Sequence, residues 1–277
     1  MSVEKLLRKY QKEISGWMKT KDGRLVIYVK PGYSLPVDLL MGLKSSGVDY
    51  EVKYTEIRLM SGQFFRPWGG VNGALCSPPL GGLTCHHCAS PQSNDDRTGQ
   101  EGVVYDANTL KAAGSVKILK DFSFKPANIF EEIVAFIEWL FTKKYPVNKF
   151  DFAQVENFED NGRTKVGVIF AGPADGSIAI AYNIANVPLN LENTDSIEKH
   201  LDDTLHATVL HYESQDFHCI IERTYKVVGT GAVNVFAYNS VYKFEPVYYL
   251  QADPTVCNGK TITESVRPGY SGSVLYI

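Results

Sequence analysis

The 277-residue chain contains no apolar window long enough to span a bilayer, and its N-terminus, MSVEKLLRKY, lacks the uninterrupted apolar core of a secretory signal. A soluble protein is expected, released or host-delivered by another route. Excess charge of one sign is also missing: 28 basic residues stand against 31 acidic ones, for a net charge of -3. These charges are scattered along the chain, so the footprint of a nucleic-acid binder is absent and nucleic acid is not an expected partner. Cysteine is scarce and odd in number, five in all, with Cys76, Cys85 and Cys88 crowded into one short stretch. That is no distributed disulfide framework, and at least one thiol is left free or bonded elsewhere. What is plentiful is apolar residues, 44% of the chain, with 16 tyrosines and 14 phenylalanines among Val- and Thr-rich segments. Such a composition supports a sizeable core and favours sheet.

Two helical segments stand out. Val3, Leu6, Leu7, Tyr10, Ile14, Trp17 and Met18 recur at the spacing of one helical face, which predicts an amphipathic helix over residues 1–20. Its Leu6, Leu7, Tyr10, Ile14 and Trp17 are the candidate contacts to a membrane surface or to a second copy. Residues 128–146, NIFEEIVAFIEWLFTKKYP, are the most apolar stretch of all, with Asn128 and Glu131 suited to cap the start and Pro146 to end the helix. This segment reads as a central core helix under a sheet, with its glutamates toward the surface.

Strands are expected elsewhere: 24–30, 50–60, 115–124, 150–157, 164–170, 177–184, 205–212, 217–228, 232–244 and the tail SGSVLYI, separated by turns such as Asn161-Gly162. Together these predict a single α+β domain over residues 1–277, a long-stranded, mainly antiparallel sheet covered by amphipathic and apolar helices.

Three constellations carry possible chemistry. The irregular, Gly- and Pro-rich segment 61–100 holds Cys76, Cys85, His86, His87 and Cys88. Cys76, Cys85, His87 and Cys88 form a ligand set for a structural zinc, because Cys85 and Cys88 have Cys-x2-Cys spacing; a disulfide from Cys76 to Cys85 or Cys88, or free thiols, are the alternatives. In the hairpin around Glu213 to Asp216, a symmetric turn pairs His211 with His218, a candidate pH-sensitive pair, and places Cys219 as a buried small hydrophobe.

The third is the tail. Pro268-Gly269-Tyr270-Ser271-Gly272-Ser273 resembles the nucleophile segment of chymotrypsin-like serine proteases, especially those of positive-strand RNA viruses. The resemblance implies Ser271 as nucleophile, strands after it that complete a barrel, a histidine well upstream, with His86 or His87 at a plausible distance, and an acid between. Yet the chain continues only six residues past Ser271 and shows no strand-then-His-Cys signature, so a neutral turn into a terminal strand is the reading preferred here.

The order of elements in the second half, NIFEEIVAFIEWLF, DFAQVEN, TKVGVIF, SIAIAYNIANVPL, HATVLHY and FHCIIERTYKVV, resembles that of Cyt-type cytolytic endotoxins and related mushroom cytolysins. It implies a membrane-active protein and transfers no specific residue. The function expected first is therefore a non-enzymatic membrane- or host-surface-directed protein, a toxin or virulence factor. A viral coat or occlusion component with an N-terminal docking helix is the alternative, and a serine hydrolase through Ser271 or a metal-dependent hydrolase is the third.

Overall fold

The computed structural model describes residues 2–63, 74–91, 93–105, 109, 111–122, 133–134, 136–137, 140–141, 147–148, 151–156 and 158–277. The described residues are dominated by strands, and the largest assembly is an 11-stranded mixed sheet. This corrects the expected α+β class. Among the described residues, the α-helices whose ends are defined are short, Val3–Lys9, Val37–Ser46 and His86–Ala89, and they do not blanket the sheet.

Within the large sheet, six strands return on themselves. Ser240–Ala252 pairs with Ala179–Asn183, which pairs with Lys165–Pro173, which pairs with Val274–Tyr276. Val274–Tyr276 then pairs with Leu205–Ser214, that strand with Phe217–Ala237, and Phe217–Ala237 with Ser240–Ala252 again. All six contacts are antiparallel, so the ring is a closed barrel whose last stave is the tail strand. The short tail is enough because its partners come from earlier in the chain.

Side-chain alternation fills both surfaces of this barrel. Ala179, Ala181, Leu205, Ala207, Val209, Tyr225, Val227, Tyr248, Leu250 and Leu275 share one buried cluster, the interior. Their neighbours Val168, Phe170, Ile180, Tyr182, Val233, Val235, Phe244 and Tyr249 face outward, and they too are buried, because Leu83, Cys85 and Phe152 pack with them. Those three belong to a separate four-stranded sheet of Leu83–Thr84, Phe152–Val155, Ala112–Phe122 and Glu101–Tyr105, or border it. The molecule is thus a barrel with a smaller sheet against its outer wall.

The N-terminal segment is part of the same structure. Ile14–Thr20 pairs with Phe217–Ala237, then Leu25–Val29 follows antiparallel and Tyr50–Tyr54 parallel, the last pair joined through the Val37–Ser46 helix. The helix expected over residues 1–20 stops at Lys9. Gly16 disfavours a helix interior, and its missing side chain lets the strand lie close to the barrel: a Cβ there would sit 2.8 Å from the Ala232 carbonyl oxygen and 2.9 Å from Tyr249 Oη. Leu6, Leu7, Ile14 and Trp17 are buried in a core cluster with Ile27, Val29, Leu39 and Leu43, and the half-buried Tyr10 packs on it. The face offered to a membrane is covered by the chain itself.

Most of the expected core helix 128–146 lies outside the described residues. Its described positions Ile133, Val134, Phe136, Ile137, Leu140 and Phe141 are helical and exposed, Phe141 at 85%, which corrects the core assignment. The expected break between 228 and 232 is also absent: the strand runs through Gly229-Thr230-Gly231 with two register shifts and turns at Tyr238 and Asn239, both at positive φ as a two-residue hairpin loop requires.

Gly231 meets the first strand at the closest backbone approach of this region, since a Cβ there would lie 1.9 Å from the Trp17 carbonyl oxygen. Gly231→Ala is expected to destabilise the fold by about 2 kcal/mol or more, read as a lower midpoint in urea unfolding. An unchanged midpoint would contradict this packing.

Candidate active site between the barrel and the smaller sheet

Pairing in the smaller sheet places an imidazole on a carboxylate. Thr84 lies opposite Ala153. Three residues after Thr84, His87 sits on the short helix His86–Ala89; two residues before Ala153, Asp151 immediately precedes the strand Phe152–Val155. The His87 backbone N–H donates to Asp151 Oδ1 at 3.0 Å, and His87 Nδ1 lies 2.5 Å from Asp151 Oδ2. Both side chains are buried, and Tyr182 Oη donates to the Asp151 carbonyl at 2.6 Å. A carboxylate at Nδ1 holds the ring proton there and leaves Nε2 with its lone pair. Nε2 is buried and has no hydrogen-bond partner among the described residues.

The tail turn is clamped against this segment. Cys76 and Cys88 form a disulfide that ties the helix carrying His87 to the residue before Ser77. Ser77 in turn donates its N–H to the Ser271 carbonyl and its hydroxyl to the Gly269 carbonyl, both at 2.9 Å. Gly272, at φ 84°, packs so tightly on the histidine segment that a Cβ would lie 2.5 Å from Thr84 Oγ1 and 3.6 Å from Cys88 Sγ. Ser271 is fully buried and its Oγ donates to the Phe170 carbonyl at 3.0 Å. The backbone N–H groups of Gly269 and Ser271 converge on a single oxygen, the Met60 carbonyl, at 2.7 and 3.0 Å. Two main-chain donors two residues apart, one of them on the serine, form an oxyanion-hole arrangement.

Strand Leu83–Thr84 leads directly into the short helix that carries His87-Cys88, an order hidden in the sequence because the strand is only two residues long. The carboxylate that meets His87 is Asp151. An acid at the start of an apolar strand between His87 and Ser271 was the signal that would have found it, whereas nothing local marks Met60.

Of the zinc candidates, Cys76 and Cys88 are joined to each other, which is one of the two disulfides left open by the sequence. Cys85 is the free cysteine, buried, with its thiol 3.6 Å from the Ile169 carbonyl and its pKa pushed well up by burial. Ligand atoms of Cys85, His87 and Asp151 lie within 4.8 Å of one another. His86 has a separate role: its Nδ1 lies 2.6 Å from Asp121, whose other oxygen accepts the Arg97 N–H.

The expected His211 and His218 pair does not form. A bulge between Tyr212 and Ser214 shifts the register by one, so His211 faces Cys219 and Tyr212 faces His218. Cys219 is bonded to Cys257 and is no free hydrophobe. His211 is buried, with Nδ1 3.0 Å from Tyr270 Oη and Nε2 3.2 Å from Glu213. Burial lowers its pKa despite that glutamate.

No family model, no curated protein and no solved structure matches this chain. Among the described residues, no helix is long and apolar enough to cross a membrane.

Two outcomes are expected. Reducing Cys76–Cys88 relaxes a short loop and lowers stability by about 2 to 4 kcal/mol, measured as the difference between wild type and Cys76→Ser/Cys88→Ser in urea. Because the folded chain binds the His211 proton more weakly than the unfolded chain, this histidine removes stability as pH falls below its ordinary value of 6.5. His200 acts in the opposite sense: its pKa is raised by its bond to Asp203, so its contribution is complete at low pH and lost as pH rises. His211→Gln, with His200 intact, should therefore show a smaller fall in Tm than wild type between about pH 7 and 5; an equal fall would refute the assignment.

Proposed function

We propose that the protein is a serine hydrolase acting on peptide or ester carbonyls, with Ser271 as nucleophile, His87 as general base and Asp151 as the carboxylate that orients it. The observation that carries this reading is the buried His87, fixed by Asp151 at both Nδ1 and its backbone N–H, with no partner for Nε2 among the described residues, on a segment whose Thr84 and Cys88 pack against Gly272 of a serine turn whose N–H groups already hold a carbonyl. The resemblance of residues 268–273 to a chymotrypsin-like nucleophile segment points the same way, and the closed barrel supplies the strand context that the tail lacked on its own.

In this mechanism Ser271 Oγ turns from the Phe170 carbonyl toward His87 Nε2, which takes its proton as the oxygen adds to the substrate carbonyl carbon. Gly269 and Ser271 N–H groups stabilise the developing oxyanion, a contribution of about 3 kcal/mol per donor in comparable sites. Asp151 keeps the imidazole in the productive tautomer and stabilises the imidazolium. Bonds from Ser77 fix the hole, because the two carbonyls it engages flank Tyr270 and leave the adjoining N–H groups directed at the substrate oxygen. Cys85 is not the nucleophile in this scheme, since burial disfavours its thiolate.

The membrane-directed reading loses its candidate face, because Leu6, Leu7, Ile14 and Trp17 are buried in the fold.

A fluorophosphonate should label the native protein at Ser271. Ser271→Ala should abolish labelling, His87→Ala and Asp151→Asn should slow it by roughly a thousandfold or more, and Cys85→Ala should retain it. An unlabelled, folded wild type would overturn the proposal, and loss confined to Cys85→Ala would move the nucleophile.

A further inference from the structure

We infer that the chain is its own substrate and is cut between Met60 and Ser61. This rests on the hydrolase assignment and adds to it the bond that is attacked. The Met60 carbonyl oxygen occupies the position between the Gly269 and Ser271 N–H groups, at 2.7 and 3.0 Å, where the carbonyl of a scissile bond belongs.

The flanking residues are held as an extended substrate on both sides of that bond. Before it, Ile57–Leu59 lies antiparallel on Lys165–Pro173, with Leu59 opposite Ala171, Arg58 opposite Gly172 and Ile57 opposite Pro173. Met60 continues the ladder by donating its N–H to the Phe170 carbonyl at 3.0 Å, the same oxygen that accepts Ser271 Oγ. The serine oxygen and the Met60 main chain thus meet at one point. Beyond the bond, Gly62 and Gln63 pair antiparallel with Leu75 and Ala74, immediately before Cys76 and Ser77. Main-chain pairing of this kind on either side of a reacting carbonyl is strand addition used for positioning.

The Met60 side chain is buried, in the barrel cluster with Ile169, Val266 and Tyr270. It marks an apolar pocket for the residue that donates the acyl group. An extended segment with a long apolar residue before the bond is then the class of substrate that the same site accepts from other chains.

The reaction balances with water as the only co-reactant. Ser271 Oγ bonds to the Met60 carbonyl carbon as its proton moves to His87 Nε2. The Met60–Ser61 C–N bond then breaks, and Nε2 returns the proton to the Ser61 nitrogen. Water hydrolyses the resulting ester, restoring the Ser271 hydroxyl and leaving a Met60 carboxylate and a Ser61 α-amine.

The test is intact mass and N-terminal sequencing of the purified full-length chain under denaturing conditions, followed over time and over a wide range of dilution, in parallel with fluorophosphonate labelling. Wild type is expected to yield fragments 1–60 and 61–277, with Ser61 as the new N-terminus and a rate independent of concentration. Ser271→Ala should stay whole with an unchanged circular dichroism spectrum. Ser61→Pro suits an extended Met60; it should remain uncut at this bond with an unchanged circular dichroism spectrum. A wild-type chain that is labelled but never cut overturns the self-cleavage and leaves the hydrolase standing. One that is neither cut nor labelled overturns both. Cleavage that persists in Ser271→Ala, or whose rate rises with concentration, also overturns the inference.

Discussion

A fully buried carboxylate has to be surrounded by donors, and the way Asp151 meets that demand organises the contact between the barrel and the smaller sheet. Its two oxygens take the main-chain and ring N–H groups of His87, both from the helix that follows the Leu83–Thr84 strand. Its own carbonyl takes the hydroxyl of Tyr182, which stands on the barrel. Leaving any of these unpaired in so dry a setting would cost more than an ordinary hydrogen bond contributes. Position and tautomer of His87 therefore follow from the same requirement that docks the two sheets.

A second set of bonds works in the same sense from the other side. Ser77 is fixed next to Cys76, and it reaches the Gly269 and Ser271 carbonyls while its hydroxyl accepts the Leu210 N–H. Arg223, buried within the barrel, donates to Tyr270 Oη and to the carbonyls of Asp253 and Glu264. Tyr270, between the Gly269 and Ser271 N–H groups, is thus held through its side chain by a cation and through its neighbours by a serine. Cross-bracing of this kind holds the Gly269 and Ser271 N–H groups in a fixed direction.

Much of the strand content was legible in the sequence, because alternation and turn chemistry are local signals. The short runs at 24–30, 164–170, 177–184 and 205–212 all appear as strands, with ends shifted by a few residues. Barrel closure was not legible. It depends on pairings between Val274–Tyr276 and strands far earlier in the chain, and no local pattern encodes those partners. The helix expected over residues 1–20 failed where Gly16 and close contact with the barrel outweighed a spacing that also fits a strand after a turn. The hairpin histidines were misaligned by a single bulge, which exchanges every facing partner. At the site, Ser271 and His87 were both identifiable as residue types, while their relation to Asp151 exists only once Thr84 lies opposite Ala153.

The N-terminal segment is woven into the sheet. Gly16 to Thr20 pair residue by residue with Gly229 to Val233, and Arg8 forms a close ion pair with Glu245 on the neighbouring strand. Opening one peptide bond after Met60 would therefore alter connectivity far more than shape. The two pieces would remain a nicked, non-covalent complex, and the new carboxylate end would be the part free to leave the Gly269 and Ser271 N–H groups. Departure of that end, and not the chemistry, would then set when the site becomes free for a second chain.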